Sequence, residues 1–328
     1  MKSSEKELIW IDITNLPHVL FFKDFIKKHA NVFVTARKIG NIEKLLEFYG
    51  ISCKIVGNHG NSLEEKLIFS ARRTIDLVNL IKGKNIKVAL SKRSVELARV
   101  AFGLGIPVVT VIDNEYSEKQ NRLVLPLSDI VIKPVFTSKE LLRKQGARNI
   151  VEFYGLCEVA HILNIKPRKI DEDYILIRPE PFRASYFKGK LLCKDLISAL
   201  REKFDVKIYV IPRFDESYEG TVVPNTLDSI NLLYNAKVFI GGGGTMCREA
   251  CLLGTPTISF YPQELLGVDK FLIGEGLLHH ITEHKEILLL IEELLDRKSE
   301  FRTKANSLVR KMENPYDVIE KYTKKYLS

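Results

Sequence analysis

Four consecutive glycines, set between an apolar run and a helix-forming run, limit what this chain can fold into more than any other feature. They lie in VFIGGGGTMCREACLLGTPTISFY, Val238 to Tyr261. Val238 to Ile240 are apolar and partly β-branched, which suits a buried strand. Met246 to Leu253 read as a helix, Gly254 as its stop, Thr255-Pro256 as a turn and Thr257 to Tyr261 as a second strand.

A glycine turn lets backbone N–H groups approach a ligand with no Cβ in the way. The helix that follows adds unpaired N–H groups and the positive end of its dipole, and together these make a phosphate site. Thr245 is placed to cap the helix and to donate to a phosphate oxygen. Glu249 lies one turn deeper on the same face, where a carboxylate accepts both hydroxyls of a ribose. The plainer explanation is a tight strand-to-helix turn. Four glycines exceed what a turn needs, at roughly 0.5–1 kcal/mol of unfolded-state entropy each. No GK[ST] follows, and there is no GxGxxG with an acid about twenty residues later, so a Walker loop and an NAD site are both disfavoured.

A chain of 328 residues with 45% hydrophobic content has enough apolar material for two cores. Its polar N-terminus, MKSSEKEL, does not read as a signal peptide, and no stretch approaches a membrane span. The five cysteines are an odd number without a CxxC. They read as buried free thiols in a reducing cytoplasm, and no metal site is expected. Residues 1–165 hold 25 Lys and Arg against 17 Asp and Glu, whereas residues 166–328 hold 25 against 24. The basic first half suits an acidic ligand or an anionic membrane surface, and a solvated lysine-rich surface explains it equally well. Basic and aromatic residues are not interleaved as nucleic-acid binding would ask.

Short apolar strands alternate with helices from Leu8 onwards, which argues for parallel sheets covered on both faces. The early strands are Leu8–Ile13, Asn31–Thr35 and Ile51–Val56. The helices between them are His18–His29 and Ile39–Tyr49. Ser62 and Glu65 form a capping box at the head of a long third helix. The rhythm breaks in the polar stretch between His161 and Asp173, so the expected domains are 1–165 and 166–314, followed by a C-terminal helix from Pro315.

Ligands of such sheets sit beyond the carboxyl ends of the strands. In the first domain those loops carry Asp12, Asn15, His18, His59, Asp113 and Glu115. In the second they carry Arg178, Glu180, Arg183, Arg213, the glycine loop, Gln263 and Asp269. His18, at a helix start, fits a neutral base, and a capping histidine explains it as well. His59 sits in a glycine-flanked loop and fits a functional or merely exposed residue. Asp113 and Glu115 suit acid–base work or simply end a strand. The arginines suit diphosphate neutralisation or surface ion pairs.

Five segments then carry a resemblance: ITNLPHVLFFKDFIK, ARVAFGLGIPVV, QNRLVLPLSD, RPEPFRASYFKG and IGGGGTMCREACLLGTPTISFYP. They resemble an uncharacterised family, a domain of unknown function allied to the GT-B superfamily, over most of the chain. The resemblance implies an α/β, GT-B-like fold: two Rossmann-like, doubly wound parallel-sheet domains facing across a cleft. It implies that the C-terminal helix crosses back to the first domain.

Two better-known relatives suggest chemistry. In the lipid-linked N-acetylglucosaminyltransferase of peptidoglycan synthesis, a glycine loop and a glutamate hold the nucleotide sugar. Gly243, Gly244, Thr245 and Glu249 are similar, and His18 is similar to its acceptor-side histidine. The non-hydrolysing UDP-N-acetylglucosamine 2-epimerases carry a glutamate and then an E-E-x-N-R segment. Glu115 and Glu118-Lys119-Gln120-Asn121-Arg122 are similar, but Lys119 replaces the second acid. The epimerases' Gly-Thr-Arg-Pro-Glu opening is Thr14-Asn15-Leu16-Pro17-His18 here. These departures favour transfer over epimerisation, and the GT-B resemblance implies a metal-independent glycosyltransferase, which the free thiols place in the cytoplasm. Its nucleotide-sugar donor, UDP-linked by this resemblance, would sit on Gly241, Gly242, Gly243, Gly244 and Thr245 with Arg178 and Arg213. An epimerase-like enzyme and a non-catalytic nucleotide-sugar-binding protein are the alternatives.

Overall fold

Ten parallel pairings between strands order this chain into two sheets, which belong to two compact units. The computed structural model describes residues 6–181, 192–213, 217–223 and 226–327. Arg183 lies outside them. One unit comprises residues 1–161 and 313–328, the other residues 162–312.

The first unit opens with β1 (Leu8–Ile13), α1 (Leu16–Lys28), β2 (Val32–Lys38), α2 (Ile42–Phe48), β3 (Lys54–Asn58) and α3 (Leu63–Ile81). It continues with β4 (Ile86–Ser91), α4 (Val95–Gly103), β5 (Val108–Val111), α5 (Glu118–Val124), β6 (Ile130–Pro134), α6 (Lys139–Lys144) and β7 (Ile150–Phe153). The short α7 (Val159–Ile162) ends at the division between the units. The sheet order is β3-β2-β1-β4-β5-β6-β7. The central strands are buried along almost their whole length, as strands covered on both faces must be.

The second unit runs β8 (Tyr174–Arg178), α8 (Cys193–Lys203), β9 (Lys207–Val210), α9 (Ser229–Asn235), β10 (Val238–Gly241) and α10 (Gly244–Leu252). It then adds β11 (Thr257–Ser259), α11 (Gly267–Gly274), β12 (Leu278–His280), α12 (His284–Leu294) and α13 (Lys298–Val309). Its sheet order is β12-β11-β10-β8-β9. The chain then returns to the first unit through α14 (Pro315–Thr323). There Tyr316 packs on Phe21 and Phe25, with ring centroids 6.0 and 5.6 Å away, and its hydroxyl donates to the carbonyl of Phe21.

Several boundaries differ from the sequence reading for local reasons. Helix α1 starts at Leu16 rather than His18, because the Asn15 side chain accepts the Leu16 N–H and Pro17 fits the first turn. His18 is therefore inside the first turn. Strand β2 runs three residues further than Thr35, which puts Arg37 within it. Strand β3 starts late because the Ile51 N–H is spent on the Leu46 carbonyl at the end of α2. The capping box at Ser62 and Glu65 forms as expected.

Candidate functional site

In both sheets the strand order reverses direction at one point, where neighbouring strands send their connections to opposite faces and leave a crevice. In the second unit the reversal falls between β8 and β10, which pair from Ile175–Val238 to Arg178–Gly241. The glycine loop follows β10, and Arg178 ends β8, with Pro179 and Glu180 following it. The loops read from sequence as phosphate-binding are thus neighbours by topology.

None of Gly241 to Gly244 has a positive φ. Instead, neighbouring atoms come close to each of them: fixed ones at Gly241 and Gly242, the tips of arginine side chains at Gly243 and Gly244. A Cβ on Gly241 would lie 2.6 Å from the Cys247 sulfur, and one on Gly242 2.8 Å from the Glu180 backbone. On Gly243 it would lie 2.5 Å from a guanidinium nitrogen of Arg213, and on Gly244 2.6 Å from one of Arg248. Two arginines thus converge on the N-terminus of α10.

Gly243 is the N-cap of that helix. Thr245 is not the cap, as the sequence suggested; it lies within the first turn, and its hydroxyl accepts from Arg248 at 3.3 Å. Arg248 also pairs with Asp269 at 3.1 Å, and both are buried. Asp269 is therefore an anchor for an arginine. Arg213 donates through Nε to the Pro179 carbonyl at 2.6 Å, while Arg178 donates to the carbonyls of Ile211 and Pro212 at 2.9 and 2.5 Å. These reciprocal bonds tie the loops after β8 and β9 together. Glu180 is buried, and its carboxylate accepts the N–H groups of Leu192 and Cys193, so it caps α8. Glu249 is buried within α10 at 1% exposure, and Gln263 is half-buried in the loop after β11.

In the first unit the reversal falls between β1 and β4. His18, from the loop side of β1, lies 3.4 Å through Nδ1 from the Thr14 hydroxyl. Arg37, near the end of β2, donates to the Thr14 carbonyl at 2.9 Å. Lys92, directly after β4, is buried, pairs with Asp113 at 2.7 Å and lies over the ring of Phe21 at 5.1 Å. Burial opposes its charge, and Asp113 more than restores it, so Lys92 is held above its ordinary pKa. Arg93 follows with φ +61°, the one non-glycine residue at positive φ among the described residues. Such backbone strain gathers at sites where the surroundings fix a side chain.

Burial, then the charges of Lys92 and Arg93, lower the His18 pKa from 6.5 to about 3, against the opposing pull of Asp113. The imidazole is neutral, as the sequence suggested, but too weakly basic at rest for an efficient general base at neutral pH. The shift has a consequence for stability. The unfolded chain takes up a proton at His18 below pH 6.5, and the native protein does so only near pH 3. The stabilisation is thus present above pH 6.5 and is lost as pH falls from there towards 3. Unfolding in urea at pH 7 and pH 5 should differ by about 2 kcal/mol from this group, and His18→Gln should remove that part of the difference. An equal pH dependence in the variant contradicts it.

The other first-unit candidates play different parts. Asp12 is fully buried, with its carboxylate bonded by Arg73 at 2.6 and 3.0 Å, Ser94 at 2.5 Å and Thr35 at 2.6 Å. It is an internal anchor, its carboxylate taken up by three side chains. Asn121 is also fully buried and donates to the Asn114 carbonyl and the Gln145 side chain, bracing the loop that carries Asp113 and Glu115. Glu115 is buried, with its carbonyl accepting from Gln145. Arg122 is exposed and pairs with Glu118 one turn away. Asn15 is spent as the cap of α1, and His59 is exposed beyond the end of β3. Among the described residues, no group of three or more His, Cys, Asp or Glu is placed to hold a metal ion, and no helix is long and apolar enough to cross a membrane.

Sequence reading missed Arg37, Lys92, Arg93 and Arg248. For Arg248 a signal existed, since it lies one helical turn beyond Gly244. The other three are isolated cations beside strands, and only the sheet order brings them together.

Comparison with known proteins agrees with this architecture. The sequence profile described as protein of unknown function (DUF354) matches residues 8–328. The uncharacterised protein MJ0665 of Methanocaldococcus jannaschii is 44% identical over 88% of this chain and 92% of its own length. Among solved structures, the M. jannaschii UDP-GlcNAc 2-epimerase in complex with UDP-GlcNAc and UDP matches with a TM-score of 0.69 at 15% identity, covering 94% of this chain and 95% of that one. The spinosyn forosaminyltransferase SpnP matches with a TM-score of 0.66 at 12% identity, covering 99% of this chain and 100% of its own. The fold is therefore the GT-B-like one that such epimerases and glycosyltransferases share.

Proposed function

This chain belongs to the DUF354 family, and from its loop geometry we propose that it is a nucleotide-sugar-dependent glycosyltransferase. The observation that carries the reading is the pair of guanidinium groups, Arg213 and Arg248, closing on Gly243 and Gly244 at the N-terminus of α10. A helix N-terminus beside two guanidinium groups matches the charge and the donor geometry of a diphosphate. Its place at the strand-order reversal of the second unit supports the same reading. Glu249, one turn beyond Thr245 in α10, is the group assigned to the ribose, with Gln263 after β11 as a further candidate. The similar folds include proteins solved with UDP-GlcNAc and UDP, which makes a UDP-sugar the first donor to try.

In this reading the acceptor belongs to the first unit. The acceptor oxygen bonds to the anomeric carbon, and the bond from that carbon to the phosphate oxygen breaks. The nucleoside diphosphate leaves with the electron pair, and its added charge falls to Arg213, Arg248 and the helix N-terminus. The hydroxyl proton passes to His18 or to Asp113. Transfer is favoured over epimerisation because the segment that resembles the epimerases is otherwise engaged: Asn121 braces a loop and Arg122 pairs at the surface.

Gly243→Asp tests the donor site. Gly243 has extended backbone at φ −163°, which any residue adopts, and aspartate is a good N-cap. The new Cβ meets only the mobile tip of Arg213, so the variant should fold. Its carboxylate would occupy the anion position and repel a diphosphate. Calorimetry with UDP should show binding to the wild type and a loss of at least about thirty-fold in the variant, roughly 2 kcal/mol. Equal UDP binding by both proteins would sink the donor assignment. Solvent deuterium appearing in the donor sugar without an acceptor would show epimerisation instead.

A further inference from the structure

The cluster around His18 has more positive charge than a hydroxyl-bearing sugar needs. Arg37, Lys92 and Arg93 come from two separate strand ends, and all three lower the affinity of His18 for a proton. Asp113 is the carboxylate that acts in the opposite direction on His18, and Asp113 and Glu158 both act on Lys92. Glu96 and Asp12, the carboxylates that act on Arg37, are themselves paired with Arg73. The buried Nε of Arg37 has no hydrogen-bond partner, an arrangement that costs free energy unless a ligand supplies one. Arg93 is held at a backbone angle that disfavours every residue but glycine. The first turn of α1, which contains His18, has no acidic residue, so its dipole is uncompensated there. His18, Lys92 and Arg93 follow β1 and β4, the pair at which the strand order of this sheet reverses, and Arg37 lies on the adjacent strand β2.

We propose that Arg37, Lys92 and Arg93 form a binding site for the phosphate group of a phosphorylated acceptor, next to His18. This rests on the glycosyltransferase reading and names its acceptor class. A tetrahedral dianion accepts from several guanidinium and ammonium donors at once, and a carboxylate satisfies fewer of them. Phosphate binding has a second effect at this site. By neutralising the cations it lets the imidazole accept a proton, so His18 becomes a competent base only when the correct acceptor is present. The phosphate belongs either to a soluble phosphomonoester or to a lipid headgroup.

Histidine NMR tests this on the full chain, with the His18 signal assigned by its loss in His18→Gln. Inorganic phosphate at constant ionic strength should shift the His18 signal saturably and raise its pKa, and acetate should not. Arg93→Gly removes the cation and accepts φ +61° without strain, so it should fold at least as well as the wild type. It should bind phosphate at least about ten-fold more weakly, with Arg93→Lys in between. UDP binding should be the same in Arg93→Gly as in the wild type. No saturable shift in the wild type, an equal response to acetate, or unaltered phosphate affinity in Arg93→Gly would overturn the proposal. If UDP binds and phosphate does not, only this inference fails; if phosphate binds and UDP does not, the donor assignment fails. Co-sedimentation with phosphatidylcholine vesicles containing phosphatidic acid, and not with phosphatidylcholine alone, would assign the phosphate to a lipid. Phosphate binding without co-sedimentation would assign it to a soluble acceptor.

Discussion

Arg73→Met should destabilise the protein by about 3–5 kcal/mol, the cost of leaving a buried ionic partner unpaired. Arg73 is fully buried in the middle of α3. Its guanidinium bonds Asp12 twice, Glu96 at 3.3 Å and the Val56 carbonyl at 2.8 Å. It therefore fastens the end of β1, the middle of β3 and the start of α4 to one another. Removing it strands two carboxylates away from water. Chemical denaturation followed by far-UV circular dichroism gives the difference directly. Pairing the change with Asp12→Leu should recover part of the loss, since a buried ion pair replaced by apolar groups of similar size is often close to neutral. A loss below about 1 kcal/mol for Arg73→Met would show that the pair contributes little.

Tyr316→Ala should cost a similar amount, about 3–5 kcal/mol, as removal of a buried aromatic ring usually does. Tyr316 is 5% exposed and lies against Phe21 and Phe25 of α1. Its hydroxyl bonds a carbonyl of the same helix, and burial pushes its pKa up. Tyr316→Phe separates the two contributions and should lose only about 1 kcal/mol, the net worth of one hydrogen bond. The neighbouring ion pair, Lys28 to Glu320 at 2.5 Å, adds little because Lys28 is largely exposed. Equal stability of Tyr316→Ala and the wild type would mean that α14 is only loosely held.

Much of this was legible in the sequence, for physical reasons that also mark the limit. The short apolar strands announce parallel sheets because both of their faces are covered, so every position must be apolar. The glycine loop is legible as a place where chains approach closely. Which chains approach was not, because Glu180, Arg213 and Arg248 reach it from three different elements. Asp12 looked like a site residue because it sits near the end of a strand. Its actual partner, Arg73, lies 61 residues away in the sequence, and no local pattern signals the pair. The cations around His18 were invisible for the same reason. Residues 37, 92 and 93 become neighbours of residue 18 only because β1 lies between β2 and β4. Periodicity reports which face of an element is buried, whereas sheet order decides which loops meet.

The return of α14 to the first unit makes the order of synthesis differ from the order of completion. Strands β1 to β7 of the first unit leave the ribosome early, yet Phe21 and Phe25 have no Tyr316 to cover them until α14 emerges. The second unit, residues 162–312, is contiguous in the chain and has all its strands and helices by then. The part made second is thus the first that can finish folding. The part made first waits with an aromatic face of α1 open to water, and to other nascent chains, for the time taken to translate about half of the protein.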